Sequence, residues 1–303
     1  MDQGLPTVFD RRALRRQRTR AATGFARHDF LVRAGAERLA DRLDDMKPRF
    51  ARVLELGAHG GILRDSLAGR AGEALHVAAD LAPAMLARAQ MPVVVADEEA
   101  LPFATASFDL LLSNLSLHWV NDLPGALVQI RRILRPDGLL LASLLGGRTL
   151  EELRLCLLEA ESEVAGGASP RVSPFVDTRD AGALLQRAGF ALPVADADLL
   201  TVTYPDALAL MRDLRGMGEA NAATARPRRF TRRDILLRAA AIYADRFAGP
   251  DGRIHASFEI VTLTGWAPAP GQPKPLRPGS ATARLADALG AEEHPAGDTA
   301  PHG

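Results

Sequence analysis

A chain of 303 residues with 47% apolar content has material for one large core or two small ones, and 37 basic against 37 acidic residues leave no net charge to draw nucleic acid. The single cysteine, Cys156, excludes an internal disulfide and a thiolate zinc site, and fits a reducing, cytoplasmic compartment. No apolar run reaches the ~18 residues of a membrane span and no apolar signal core opens the chain, so membrane insertion is not expected.

Residues 1–29 are arginine-rich, with Arg11, Arg12, Arg15, Arg16, Arg18 and Arg20. They read as a solvated helix, because aromatic residues are not interleaved as in a nucleic-acid arm. An arginine-rich, acid-poor targeting segment is the alternative. A helical rhythm follows over 30–46, with Leu31, Ala34, Leu39 and Leu43 in phase. Strands are then expected at 53–56, 75–79, 93–96, 108–113 and 139–145. Helices alternate with them at 62–68, 83–90 and 123–134, the last closed by the turn Pro136-Asp137-Gly138. This alternation implies a parallel sheet covered on both faces. Beyond it come helices at 150–164, 178–188, 206–215 and 232–247, and strands at 199–204 and 258–266. The helices between the last two strands would form a lid over the strand C-termini. The Pro/Gly-rich stretch after Trp266 cannot bury a core.

The chemistry gathers at strand ends. Gly57 and Gly61 give the sharp turn between the first strand and its helix that lets a ligand approach backbone, with His59 standing where a middle glycine is usual. His59 reads as a loop histidine facing solvent or as a base near the ligand. Acidic residues stand at three strand ends around this glycine turn. Glu55 would accept from an amino group, Asp80 stands near the ~20 positions expected for a ribose grip, and Asp97-Glu98 would accept from an adenine amino group or cap a turn. That set suits a nucleoside without phosphates in the turn, which favours S-adenosylmethionine over a dinucleotide. Leu81, Asn114 and Leu115 should flank the same cofactor. His118 and Trp119, after the fourth strand, should face the transferable group, His118 as catalytic candidate and Trp119 as substrate contact or core. Methyl transfer from a sulfonium runs on alignment, so no base is strictly required. The histidines form no His-x-Asp or His-x-Glu pair, so no metal site is expected.

Val53-Leu-Glu-Leu-Gly57, Ala79-Asp-Leu-Ala-Pro83, Ala96-Asp-Glu-Glu-Ala-Leu-Pro-Phe103 and Arg135-Pro-Asp-Gly138 resemble the class I S-adenosylmethionine-dependent methyltransferases. Val8-Phe-Asp-Arg11, Leu115-Ser-Leu-His-Trp-Val-Asn-Asp-Leu-Pro124, Ser173-Pro-Phe175, Leu214-Arg-Gly-Met-Gly-Glu-Ala-Asn221 and Gly279-Ser-Ala-Thr282 narrow the likeness. They are similar to the mitochondrial complex I assembly factor 5 family and its bacterial counterparts, related in turn to the malonyl-carrier-protein methyltransferase of biotin synthesis. The resemblance implies an α/β, Rossmann-like class I methyltransferase fold: a mostly parallel seven-stranded sheet with helices on both faces and a helical lid insertion. It divides the chain into the arginine-rich segment 1–29, a cofactor-binding domain over 30–266 with its lid at about 205–250, and the tail 267–303. Gly216 and Asn221, in the lid motif, would join Trp119 on the substrate side.

For the eukaryotic family the resemblance implies hydroxylation of an arginine on an iron-sulfur subunit of NADH dehydrogenase. A protein substrate of that kind is the first expectation. A malonyl thioester on an acyl carrier protein is the second; Arg148, Arg212, Arg215, Arg226, Arg228 and Arg229 are available for its anionic groups. An assembly chaperone that keeps the cofactor as a structural ligand is the third.

Overall fold

The structure, a computed structural model, describes residues 7–44, 46, 50–67, 75–272 and 285–291; the Gly279-Ser-Ala-Thr282 motif lies outside them. The chain divides into a unit Met1–Pro268 and a unit Ala269–Gly303. The described part of the second carries one short helix, Leu285–Leu289.

In the first unit, β1 (Arg52–Leu56), β2 (Leu75–Asp80), β3 (Val93–Val95), β4 (Phe108–Asn114) and β5 (Leu134–Leu145) pair in parallel. With β6 (Ala191–Tyr204) and β7 (Ile254–Trp266) they form a seven-stranded sheet in the order β3-β2-β1-β4-β5-β7-β6. β7 is antiparallel to both neighbours. The central strands are apolar without alternation because both faces are covered. Val53, Leu110, Leu112 and Leu141 share one core with α2 (Phe30–Asp44), α6 (Glu151–Ala165) and α9 (Arg233–Phe247). Leu54, Leu56, Leu111 and Leu140 face the other core, under α5 (Leu123–Ile133) and α7 (Thr178–Arg187). The helices α3 (Ile62–Ser66) and α4 (Pro83–Leu86) follow β1 and β2. Between β6 and β7 the chain makes α8 (Ala207–Met217) and α9, the expected helical insertion.

Three expectations need correction. The Pro136-Asp137-Gly138 turn does not separate α5 from β5; β5 starts at Leu134 and absorbs it as a bulge. There Asp137 takes φ +64°, and the β4 register jumps from Phe108↔Leu134 to Leu110↔Leu139. Ala267 satisfies the bulge by accepting from Asp137 N–H at 3.1 Å and donating to Gly138 O at 2.8 Å. β6 is also longer than 199–204, beginning at Ala191. Its first half carries Pro193, Asp196 and Asp198, tolerable on an edge strand with a bulge after Ala191, and Arg42 and Arg38 of α2 pair with the two acids.

The third correction concerns the arginine-rich start. α1 (Arg11–Ala21) is not a helix in solvent: Ala13, Leu14, Arg18 and Ala21 are buried on one face, at helical spacing. Asp10 caps it, accepting from Ala13 N–H at 2.9 Å. Phe9 bridges to Ala223, Asp10 N–H donates to Ala222 O at 2.8 Å, and Arg226 pairs with Asp10 at 2.9 Å. These bonds join α1 to the segment after α8.

Candidate active site

β1 ends in a turn with Gly57 at φ +70°, and Gly61 at φ +86° opens α3. At Gly57 the close neighbour is a side chain of the chain itself: an added Cβ would lie 2.2 Å from Ser116 Cβ. Ser116 Oγ donates to Glu98 Oε1 at 2.5 Å and accepts from Arg18 Nη2 at 3.1 Å. Arg18 Nη1 lies 3.5 Å from Glu98 Oε1 and 3.8 Å from Asp80 Oδ1. Asp80 is fixed by Ala82 N–H on Oδ1 at 2.8 Å and His59 N–H on Oδ2 at 3.4 Å. Asp80, Glu98, Ser116 and Arg18 are all fully buried.

Burial alone would raise the Glu98 carboxyl. The Arg11 and Arg18 charges and the Ser116 hydroxyl outweigh it and bring the pKa down to about 2. Arg11 binds the second Glu98 oxygen and donates to Asp97 Oδ1 at 2.6 Å and to Trp119 O at 3.2 Å. His59 is buried, not solvent-facing, and stacks on Phe25 with ring centroids 5.8 Å apart. Burial and the Arg18 charge lower its pKa, so its ring is neutral at pH 7, and neither nitrogen has a well-formed hydrogen bond.

Gly57, Asp80 and Glu98 therefore meet, and the structure gives the other expected cofactor contacts partners of their own. Glu55 shares a sheet face with His76 of β2, whose Nε2 lies 3.1 Å from its carboxylate; burial raises the Glu55 pKa. Asp97 turns outward to Arg11 and accepts from Glu99 N–H at 3.0 Å, which leaves the inward position to Glu98. Asn114 is consumed between α2 and β5, donating to Val32 O at 2.7 Å and accepting from Ser143 Oγ at 2.8 Å. Leu115 takes φ +47° and donates to Ser143 O at 2.9 Å. Leu81 packs in a small cluster with Phe9, Leu14, Trp119 and Ala222.

Beyond β4, His118 and Trp119 converge on a residue that sequence reasoning passed over. His118 Nε2 lies 3.1 Å and Trp119 Nε1 2.9 Å from Glu219 Oε2. Leu145 N–H points to His118 Nδ1 at 3.4 Å, which assigns the ring proton to Nε2 and makes Glu219 its acceptor. Burial would raise the Glu219 pKa; the His118 hydrogen bond and the Arg18 charge are among the causes that bring it below the ordinary carboxylate value. Phe175 meets the His118 ring edge-on, and Phe9 meets Trp119 likewise.

Glu219, Phe175 and Asn221 line a cavity of about 570 Å³ walled by Leu153, Leu157, Met211 and Leu214 and by Arg171, Arg212, Arg215, Arg226 and Arg229. Asn221 is fixed there, accepting from Ser173 Oγ at 2.9 Å and donating to Pro170 O at 2.8 Å. Gly216 instead packs on His28, where an added Cβ would lie 2.3 Å from the ring. The Ser173-Pro-Phe175, His118-Trp119 and Gly216–Asn221 motifs thus meet in space though far apart in sequence. Glu219 was discoverable as the one acid in the lid motif, whereas the helical phase of Arg11 and Arg18 with Leu14 is masked by their charge. Among the described residues, no group of three or more His, Cys, Asp or Glu side chains is placed to hold a metal ion.

Comparison with known proteins identifies the family and the fold. Residues 54–142 match a methyltransferase domain family. The Danio rerio arginine-hydroxylase NDUFAF5, mitochondrial, is 41% identical over 94% of this chain and 90% of its own. A malonyl-[acyl-carrier protein] O-methyltransferase of Halorhodospira halophila is 38% identical over 88% of this chain and 91% of its own. The crystal structure of the YcgJ protein from Bacillus subtilis covers 76% of this chain and 98% of its own with a TM-score of 0.54, and at 16% identity it speaks to the fold alone. The chain belongs to the S-adenosylmethionine-dependent methyltransferase-fold family that includes the NDUFAF5 arginine hydroxylases and the malonyl-carrier-protein O-methyltransferases.

Proposed function

We propose that the chain binds S-adenosylmethionine at the Gly57 turn and modifies a protein side chain presented through the neighbouring cavity. The acceptors at the turn fit that cofactor. Asp80 would accept from the ribose hydroxyls and Glu98 from the adenine amino group, beside the buried His59 ring. S-adenosylmethionine supplies a sulfonium-activated group when bound. The protein's own part is alignment and exclusion of water.

Glu219 is the single observation that carries the substrate reading. His118 and Trp119 both bond its Oε2, and Oε1 carries neither bond while the residue lines the cavity. In this arrangement His118 orients the carboxylate, since its Nδ1 is taken by the Leu145 amide. An ionised acid at that position suits an incoming guanidinium. This favours a counterpart of the assembly factor that modifies an arginine of an NADH dehydrogenase subunit. The rim supports the carrier-protein alternative: Arg212, Arg215 and Arg229 line the cavity with no ion pair among the described residues, whereas Arg171 and Arg226 are paired. No described helix is long and apolar enough to cross a membrane, and the lone buried Cys156 supports a reducing, cytoplasmic setting.

The test is intact-mass spectrometry of each candidate protein after incubation with the chain and S-adenosylmethionine. An oxygen or methylene gain on an arginine of the NADH dehydrogenase subunit supports the first reading. A methylene gain on malonyl-carrier protein supports the second, and retained cofactor with no gain supports the chaperone.

A further inference from the structure

The acids at the Gly57 turn already hold a cation. Arg18 lies on the buried face of α1 with no solvent access, its guanidinium set among Ser116, Glu98 and Asp80. Asp80 and Glu98 are the acceptors proposed for the nucleoside's ribose hydroxyls and amino group, and a guanidinium offers the same carboxylates N–H donors in their place. Asp80 and Glu98 cannot bond a sugar and a base while Arg18 fills the space between them.

The fit is also incomplete. Arg18 Nη1 stands 3.8 Å from Asp80, beyond hydrogen-bond reach, and Nε has no partner at all. Arg18 also stands farther from the carboxylates, 3.5 Å from Glu98 and 3.8 Å from Asp80, than Arg11 does from Asp97 at 2.6 Å. The helix that carries it is separately anchored, through its Asp10 cap, through Leu14 and Ala21, and through Gln17 Nε2 on Asn221 O at 3.3 Å. The helix therefore does not depend on the guanidinium alone for its place.

We infer that Arg18 is a displaceable internal plug, its guanidinium competing with the cofactor's adenosyl group for Asp80 and Glu98. The inference rests on the reading that this turn binds S-adenosylmethionine. Apparent affinity is then reduced by the fraction of molecules in which Arg18 is seated.

Calorimetric titration of the full chain with S-adenosylmethionine and with S-adenosylhomocysteine tests it, using wild type, Arg18→Met, Arg18→Gln and Asp80→Asn. Arg18→Met is expected to bind both ligands about tenfold more tightly or better. Its ligand-free melting temperature should fall, because two buried acids lose their cation, and the rise on adding ligand should exceed that of wild type. Arg18→Gln keeps a donor for Ser116 and should also bind more tightly, which secures the test if Arg18→Met does not fold. Equal or weaker binding by the folded Arg18 variants, with binding lost in Asp80→Asn, overturns the plug and leaves the cofactor reading standing. No binding by any folded variant overturns both.

Discussion

Asp80 accepts from two backbone amides and faces Arg18, so each change to it acts on the loop as well as on a ligand. Asp80→Ala is expected to weaken S-adenosylmethionine binding by about 1.5–3 kcal/mol, the scale of a lost charge-assisted hydrogen bond. Titration calorimetry checks this, and an unchanged affinity removes Asp80 from the site. Glu219 behaves differently because it serves two buried donors. Glu219→Ala leaves the Trp119 and His118 N–H groups unpaired and should lower stability by about 1–3 kcal/mol in urea unfolding. Glu219→Gln keeps an acceptor and should lose clearly less. Equal losses in the two variants would show that the acceptor is not what matters.

At the scale of elements, the β1–α3 turn is set by its closest contact. Gly57→Ala must place a Cβ against Ser116 at φ +70°, so left-handed strain and overpacking together should cost on the order of 3 kcal/mol by equilibrium unfolding. The exposed pairs between α2 and β6 give the opposite expectation: Arg38→Ala should shift stability by less than about 1 kcal/mol. A larger loss there would mean that α2 depends on the sheet edge. These elements also show what could be read in advance. The runs 53–56 and 108–113 were legible because both faces of their strands are buried and every residue is apolar or a strand-end polar group. The first half of β6 was not, since an edge strand needs no buried face and accepts Pro193 and two aspartates. In the site, the spacing of Gly57, Asp80 and Glu98 was readable, whereas Arg18 was not. Charge marks a residue as solvent-facing by default, and only the phase of Leu14 and Ala21 argued otherwise.

Across the whole molecule, two acids tie stability to pH. Glu98 and Glu161 are both brought to about 2 from an ordinary 4.5, Glu98 by Arg11 and Arg18 against its burial, Glu161 foremost by the Arg171 hydrogen bond. The folded state binds these protons less readily than the unfolded one. Their contribution is complete above about pH 4.5 and is lost as pH falls toward 2. Urea unfolding should show stability dropping below that pH, with a shallower drop in Glu161→Gln; a flat profile would contradict the pairing.

One picture joins these scales: α1 is held between the segment after α8 and the acids Asp80 and Glu98 beside the Gly57 turn. A crystal structure of the chain with S-adenosylhomocysteine addresses it most directly. The expected result is the ribose on Asp80, the adenine on Glu98 and the Arg18 guanidinium withdrawn from both. A ligand bound elsewhere, with Arg18 still seated between the two carboxylates, would contradict the account.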